Sequence, residues 1–247
     1  MCERAISYPK ISVIIPTLNE EKKLPELLQS LKIQSRLPDE IIIVDAGSTD
    51  STLEIAKKFG VKICNSGGFP GRGRNEGAKL ASGSVLIFLD ADVLLDRKTI
   101  DEMLKVKAEK FASALSYWTL PFNENSLIEA GYVIVNRIYQ VLNYLEWFHG
   151  HGSCLLVDRE VHEKIGGFDC NIILAEDEDY INRLARIGTY HFSKTPIIRV
   201  SARRVKKYGV VKTLLIYSVI GLHRFFVGEV TRNLFRYFES ETVLFGD

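Results

Sequence analysis

The first half of the chain alternates short apolar runs with segments in which apolar residues recur every three or four positions. Apolar runs of this kind indicate buried strands, and the three-to-four spacing indicates helices. The predicted strands are 11–16, 40–45, 61–65 and 85–89, and the predicted helices between them are 24–31, 51–59 and 75–81. Strands that alternate with helices of this length form a parallel sheet with right-handed crossovers. We therefore predict an α/β fold with a mostly parallel central sheet flanked by helices.

The second half of the chain is less regular and changes character near residue 201. Its predicted helices are 100–110, 127–148 and 177–187, and its predicted strands are 112–119, 152–157, 190–193 and 197–200. Residues 66–74 hold four glycines and a proline, which predicts a loop. Residues 203–207 are basic, and an apolar, aromatic-rich segment follows them as far as Phe238. We predict one domain over residues 1–200 and a helical C-terminal appendage over residues 201–247.

The composition excludes several classes of protein. The 247 residues include 32 basic and 31 acidic side chains, for a formal charge of +1, and nucleic-acid binding would call for a basic excess. The four cysteines form no CxxC pair and match no zinc pattern, which indicates reduced thiols in a reducing compartment. Residues 1–10 lack the apolar core of a signal peptide, and no apolar run is long enough to span a bilayer. We expect a cytoplasmic protein that can also meet the inner face of the membrane.

The sequence Asp90-Ala91-Asp92 directly follows the predicted strand 85–89. Ligands of open α/β sheets bind beyond the carboxyl ends of the strands. Two carboxylates in this place can hold Mn²⁺ or Mg²⁺, which take one or two carboxylates and complete their coordination with water and phosphate oxygens. The pair Asp90 and Asp92 therefore predicts a site for a metal-bound nucleoside diphosphate.

Other motifs follow in a fixed order along the chain, and together they resemble glycosyltransferase family 2. They are Pro16-Thr-Leu-Asn-Glu20, Asp45 at a strand end, Gly71-Arg-Gly-Arg-Asn75, Phe88-Leu-Asp-Ala-Asp92, Gly166-Gly-Phe-Asp169 and Glu176-Asp-Glu-Asp179. The resemblance covers about residues 11–200. It implies the GT-A fold and the activity of an inverting, metal-dependent sugar transferase with a UDP- or GDP-type sugar donor.

The resemblance also implies roles for individual residues. Pro16, Thr17 and Glu20 would line the nucleotide pocket. Asp45 would accept a hydrogen bond from the base ring. Asp90, Ala91 and Asp92 would form the DxD motif, in which Asp90 contacts the ribose or the metal shell and Asp92 binds the metal.

Asp177 would be the general base that takes the proton of the acceptor hydroxyl, and we expect the positive end of the helix dipole to keep it ionised. Alternatively, Glu176 and Asp179 would orient the acceptor. The purely structural interpretation of residues 176–179 is an acidic helix N-terminus with no further function.

The basic and histidine side chains admit two interpretations each. Arg74 in the glycine-rich segment can pair with a diphosphate or be a solvated loop charge. His151 is expected beside the acceptor, because the family places this segment there, whereas a metal role for this HxH pair lacks a third ligand. Arg203 and Arg204 can clasp a phosphate of the donor or of a lipid.

The C-terminal segment has three candidate roles. A basic flank followed by an amphipathic, aromatic-rich stretch is typical of a helix that lies in a membrane interface. The same segment can pack on the domain or form a dimer contact. With helix 127–148, which is apolar on most faces, it favours a glycan or lipid-linked acceptor, or a lipid phosphate, over a freely soluble one.

Two other functions remain open at the level of sequence. A metal-dependent nucleotidyltransferase also uses acidic residues on an α/β fold, but residues 16–20 are not the glycine-rich basic stretch typical of that class. A scaffold that binds nucleotide sugars without catalysis would not need Asp177. The transferred sugar, the nucleotide, the acceptor and the oligomeric state are not predicted.

Overall fold

The computed structural model describes residues 9–231. The strands in this part of the chain are β1 Ile11–Thr17, β2 Glu40–Asp45, β3 Lys62–Asn65, β4 Val85–Leu89, β5 Val93–Leu94, β6 Ala114–Pro121, β7 Cys154–Asp158 and β8 Tyr190–Val200. The helices are α1 Leu24–Lys32, α2 Thr52–Phe59, α3 Pro70–Leu80, α4 Thr99–Lys110, α5 Ser126–Tyr144, α6 Arg159–Lys164, α7 Glu176–Ile187, α8 Arg203–Tyr208 and α9 Val210–Phe226.

All these strands form one mixed sheet in the order β3-β2-β1-β4-β7-β6-β8-β5. Strands β1 to β4 are mutually parallel, as predicted, and β6 is parallel to β8. Strand β7 runs antiparallel to both β4 and β6, and β5 is antiparallel to β8. Because β7 is reversed, the residues that precede it lie beside the residues that follow β4, and the amide of Asp90 donates to the carbonyl of Ser153 at 3.0 Å.

Successive side chains of a strand point to opposite faces of the sheet, so the core is divided into two clusters, one on each face. In β1, Val13 and Ile15 belong to the cluster packed under α1, whereas Ile14 belongs to the cluster under α3 and α7. In β4, Leu86 and Phe88 point to the second cluster. The sheet is therefore covered by helices on both faces, which explains why its central strands are uninterrupted apolar runs.

The segment predicted as a loop over 66–74 is helical from Pro70 onward, because α3 begins there. Proline suits the first turn of a helix, where its missing N–H has no partner to lose. Two glycines of α3 serve packing on β1, because a Cβ on Gly77 would lie 2.4 Å from Ile14 Cγ2 and a Cβ on Gly73 would lie 3.3 Å from Pro16 Cβ. Gly67 and Gly68 precede the helix and have no such contact with the sheet.

Other elements also differ from prediction. Helix α5 ends at Tyr144 instead of residue 148, and residues 190–200 form one strand instead of two. The short elements β5 and α6 were not predicted, because two and six residues are too few for a periodic pattern.

The C-terminal appendage begins with α8 and α9, which Gly209 separates with a φ of +79°. Ile220 of α9 is buried against Leu174, and Val230 pairs with Leu174 in an isolated β-bridge. Residues 232–247, which include the end of the predicted apolar segment, lie outside the described part of the chain. Within residues 9–231, none of the helices is both long and apolar enough to cross a membrane.

Candidate active site

A cavity of about 700 Å³ opens at the carboxyl ends of β1 and β4. Its lining includes all of the predicted site residues except Asp45: Pro16, Thr17, Glu20, Arg74, Asp90, Ala91, Asp92, His151, Glu176, Asp177, Arg203 and Arg204. These side chains come from sequence positions nearly 190 residues apart. The fold therefore brings the two halves of the predicted site into one space.

Asp45 ends β2, as predicted, but its side chain does not line the cavity. Its Oδ1 accepts hydrogen bonds from the hydroxyls of Thr17 (3.0 Å) and Ser48 (2.6 Å), and its Oδ2 accepts from the amides of Gly47 (3.0 Å) and Ser48 (2.8 Å). A carboxylate has about four acceptor sites, so this side chain, which is 1% exposed, has none left for a base. In this structure Asp45 holds Thr17 and the loop after β2, and its contact with the base stays a prediction.

Arg74 lies inside α3, not in a loop before a helix as predicted, and it joins the two acidic motifs. It donates to Asp90 Oδ1 at 2.7 Å and to Glu176 Oε1 at 2.7 Å, and it is 3% exposed. Burial alone would lower the pKa of Arg74, but the charges of Asp90 and Glu176 raise it above its ordinary value. The interpretation of Arg74 as a solvated charge is therefore wrong, and its guanidinium is the buried link between the DxD motif and α7.

Removal of this link is expected to destabilise the protein. Arg74→Met would leave Asp90 and Glu176 without their shared cation and should lower the free energy of unfolding by about 3 kcal/mol. Arg72→Met is the matched control, because Arg72 lies in the same helix but is exposed. The measurement is urea unfolding followed by circular dichroism. Equal midpoints for the two variants would contradict the assigned role of Arg74.

Asp92 and Glu20 share a second arginine, Arg203 from the start of α8. Arg203 forms a two-pronged ion pair with Glu20, at 2.7 and 3.1 Å, and its Nε lies 3.4 Å from Asp92 Oδ2. Burial raises the pKa of Asp92 to about 6, Arg203 opposes this shift, and the charges of Asp90 and Glu20 add to it. Asp92 therefore stands in a surplus of negative charge that a cation would relieve.

The donor set fits a hard divalent cation that arrives with a diphosphate. Asp90 and Asp92 are the carboxylates that would hold it. Over residues 9–231, no group of three or more His, Cys, Asp or Glu side chains is arranged to bind a metal ion. Two carboxylates completed by water and phosphate oxygens are sufficient for Mg²⁺ or Mn²⁺.

Asp177 lines the same cavity and lies in the first turn of α7. Its Oδ2 accepts the amide of Gly152 at 2.8 Å, and its Oδ1 accepts the amide of Glu178 at 3.0 Å. Burial raises the pKa of Asp177 to about 7, and the neighbouring charges of Glu176 and Glu178 add to this. We expected the helix dipole to keep Asp177 ionised, but desolvation outweighs it, and the result is a carboxyl group suited to exchange protons near neutral pH.

His151 is held by Asn136, a residue that the sequence analysis did not select. The Asn136 amide group donates to the Thr119 carbonyl at 2.8 Å, so its Oδ1 is the acceptor for His151 Nε2 at 2.9 Å. Burial lowers the pKa of His151 to about 4, which keeps the ring neutral. With Nε2 as the donor, Nδ1 of His151 is left as an acceptor. The available signal for Asn136 was its place in a mostly apolar helix, a signal that Gln140 and Asn143 share.

Arg224 is a second residue that the sequence analysis missed. It lies in the last turn of α9 and forms ion pairs with Glu178 and with Glu229. Tyr139 and His149 also contact Glu178. Because Glu178 is adjacent to Asp177, the appendage is bound directly to the helix that carries the predicted base.

Comparison with known proteins agrees with this arrangement. A model of "Glycosyl transferase family 2" matches residues 12–166. The chain is 40% identical over 103 residues to poly(ribitol-phosphate) beta-N-acetylglucosaminyltransferase TarS of Staphylococcus aureus, a match that covers 38% of this chain and 18% of TarS. It is 44% identical over 96 residues to the 4,4'-diaponeurosporenoate glycosyltransferase of Staphylococcus haemolyticus, covering 36% of this chain and 25% of that protein. The match thus spans no more than a quarter of either relative.

Solved structures match the fold over most of the chain. The mannosyltransferase PcManGT from Pyrobaculum calidifontis, in complex with GDP-Man and Mn²⁺, has a TM-score of 0.65 at 22% identity, covering 86% of this chain and 65% of PcManGT. These matches confirm the predicted GT-A fold. The chain belongs to glycosyl transferase family 2.

Proposed function

We propose that this protein transfers a sugar from a UDP- or GDP-sugar to an acceptor with inversion at the anomeric carbon, using Mn²⁺ or Mg²⁺. The observation that carries the proposal is the position of Asp177 in the same cavity as Asp90 and Asp92. Residues 1–200 would be the catalytic domain, and residues 201–247 an appendage to it. PcManGT is seen with GDP-Man and Mn²⁺, and TarS with UDP-GlcNAc, which supports both nucleotide types as candidates.

The donor would occupy the end of the cavity lined by Pro16, Thr17, Glu20 and Ala91. A cation bound by Asp90 and Asp92 would supply positive charge to the leaving diphosphate. Arg203 and Arg204 line the same region and would pair with phosphate oxygens.

At the other end of the cavity, Asp177 would remove the proton of the acceptor hydroxyl as that oxygen attacks the anomeric carbon. A single displacement on the face opposite the leaving group inverts the configuration. Glu176, held by Arg74, and His151 would contact the acceptor. A lipid phosphate is already ionised and needs no base, so the buried carboxyl of Asp177 favours a hydroxyl acceptor over a phosphate.

The acceptor is proposed to be a glycan hydroxyl on a lipid carrier. The walls beyond Asp177 are apolar, with Ile128, Val135 and Leu142 on α5 and Val210 and Ile220 on α9. One relative that shares 44% identity over 96 residues is named for an apolar substrate, 4,4'-diaponeurosporenoate. Both observations support an acceptor with an apolar portion.

Calorimetric titration with UDP and GDP, with and without Mn²⁺, tests the donor site. We expect one nucleotide to bind only with Mn²⁺, and Asp92→Ala to weaken that binding at least about tenfold because one of two metal-holding carboxylates is lost. Asp96→Ala is the matched control, since Asp96 is exposed four positions further along. Metal-independent binding of equal strength in both variants would contradict the proposal. Release of the nucleoside diphosphate, and not of pyrophosphate, separates this activity from nucleotidyl transfer.

The rate of transfer is expected to depend on pH through Asp177. A base acts only when deprotonated, so kcat/KM should be low below the pKa of about 7, rise as the pH passes through it, and then level off. Glu176, Glu178 and Asp90 raise this pKa and Arg74 lowers it. Initial rates between about pH 5.5 and about pH 8.5 measure the profile. A flat profile over this range would contradict the assignment.

A further inference from the structure

Two helices carry most of the exposed large apolar side chains in the described part of the chain. Residues on α5 and just after it include Leu127, Ile134, Val141, Tyr144 and Trp147, each more than half exposed. The exposed residues on α9 are Val211, Leu215, Tyr217, Val219, Leu222 and Phe226. We call these exposed residues together the α5–α9 face. An apolar concentration of this kind on a protein surface marks a contact with something else.

Helix α9 is apolar on two opposite sides. The exposed residues Val211, Leu215, Val219, Leu222 and Phe226 follow one another at intervals of three or four, so they lie on one side of the helix. Ile220 and Arg224 lie on the other side, where Ile220 packs on Leu174 and Arg224 pairs with Glu178. The inner side therefore fixes the helix to the protein, and the outer side is exposed.

Helix α5, like α9, combines an anchoring side chain with exposed apolar residues. Its one buried side chain is Asn136, which holds Thr119 and His151. Its apolar residues lie along the cavity or on the surface. The Cβ position of Gly131 is 3.7 Å from Val210 Cγ1, so α5 and α9 are neighbours.

The mouth of the active-site cavity lies between these helices. Ile138 of α5 and Tyr217 of α9 line the cavity, and each is 50% exposed. Side chains that line the cavity and are also exposed at the protein surface mark the place where the cavity opens. A partner that covers the α5–α9 face would therefore meet the mouth of the acceptor end.

The charge on α8 and α9 is one-sided, although the α5 part of the face also carries Glu129 and Glu146. Residues 201–228 contain six Lys or Arg and no Asp or Glu, and three of the six, Arg203, Lys206 and Arg224, form ion pairs within the protein. Lys207 and Lys212 both lie over the ring of Tyr208, each 5.4 Å from its centroid. Basic side chains beside exposed Trp, Tyr and Phe match the two layers of a membrane interface, anionic headgroups over acyl chains.

We propose that the α5–α9 face docks on the surface of an anionic phospholipid bilayer. This proposal rests on the proposed function. Docking would place the cavity mouth against the membrane, where a lipid-linked acceptor resides. No described helix is suited to cross the bilayer, so the face lies on the membrane. A second copy of the chain would instead bring the same basic residues against each other.

Vesicle binding of the full chain tests the proposal. The probe is extruded phosphatidylcholine vesicles with and without about 30% phosphatidylglycerol, read by co-sedimentation. We expect binding to the anionic vesicles, and the outer-side variant Leu215→Gln/Leu222→Gln/Phe226→Gln is expected to lower the partition coefficient at least about a hundredfold.

A matched control carries the same chemical change elsewhere. Ile33, Leu37 and Leu80 are each 51% exposed and lie outside the face, so their triple replacement by Gln should leave vesicle binding unchanged. The charge variant Lys207→Gln/Lys212→Gln should weaken binding to anionic vesicles by about 25-fold, since each cation near the surface adds about fivefold.

The outcomes separate the two proposals. Vesicle binding that is absent, or equal in the outer-side and control variants, overturns the docking surface. If the wild type forms dimers that the outer-side variant converts to monomers, and no vesicles are bound, the face joins two copies and the lipid proposal is overturned.

Calorimetry with UDP or GDP and Mn²⁺ in the absence of vesicles tests the donor site alone. Vesicle binding without nucleotide binding would overturn the proposed function and leave docking supported.

Discussion

Asp177→Asn is expected to lower kcat of sugar transfer by about a thousandfold, because the amide cannot accept the proton of the acceptor hydroxyl. The donor end of the cavity is formed by other side chains, so the affinity for the nucleotide should stay within about threefold of wild type. Turnover of donor to nucleoside diphosphate measures the first quantity, and calorimetry the second. A loss of both would indicate a damaged fold instead of a missing base.

The neighbouring Asp179 provides the control for this variant. Asp179 belongs to the same acidic helix start but pairs with Arg183 at 2.7 Å. Asp179→Asn should therefore keep near-normal kcat. The amide side chain in Asp177→Asn can replace only one of the two acceptors that hold the Gly152 and Glu178 amides, so urea unfolding of both variants must accompany the rates. Full activity of Asp177→Asn would exclude the base and leave either a phosphate acceptor or an acidic helix N-terminus without further function.

Gly152→Ala is expected to lower kcat about a hundredfold without touching any reacting group. A Cβ at Gly152 would lie 2.4 Å from Asp177 Oδ2 and 2.5 Å from Asp177 Cβ, distances that no real contact has. The Asp177 side chain must then move by about 1 Å, and a displacement of that size from the reacting atoms costs about two orders of magnitude in rate. The φ of Gly152 is not in the left-handed region, so alanine strains the contact and not the backbone.

Gly131→Ala is the matched substitution for this experiment. Gly131 also lines the cavity, but its added Cβ would meet only Val210 Cγ1 at 3.7 Å, an ordinary contact. We expect near-normal kcat for this variant. The same modest change in both variants would show that Asp177 does not depend on the close approach of Gly152.

The parts of the site that sequence predicts well are those fixed by their immediate neighbours. Asp90 and Asp92 follow a fully apolar run, and such a run is a buried strand whose carboxyl end faces the ligand edge of the sheet. The same logic predicts strand 40–45 and its terminal aspartate. It does not predict what that aspartate contacts, because Ser48 and Gly47 reach Asp45 through the conformation of a loop.

Contacts between distant charges are the part that sequence does not predict. Arg203 and Glu20 are 183 positions apart and Arg74 and Glu176 are 102 apart, and a chain with 32 basic and 31 acidic residues offers many other pairings. The balance between helix dipole and burial at Asp177 is also set by tertiary structure. The glycines of residues 66–74 indicate a loop by composition, because composition alone does not distinguish backbone freedom from close packing.

Arg203 offsets part of the negative charge of the proposed donor site. Its guanidinium lies between Glu20 and Asp92, in the region where a metal–nucleotide complex would bring its own charges. Under the proposed function, a free divalent cation would have to separate this arginine from Asp92 and leave it with one anionic partner fewer. A cation that arrives with a diphosphate offers the displaced arginine a new anionic partner. The site would thus select the complex over the free ion by exchange of counter-ions, with no additional ligand from the protein.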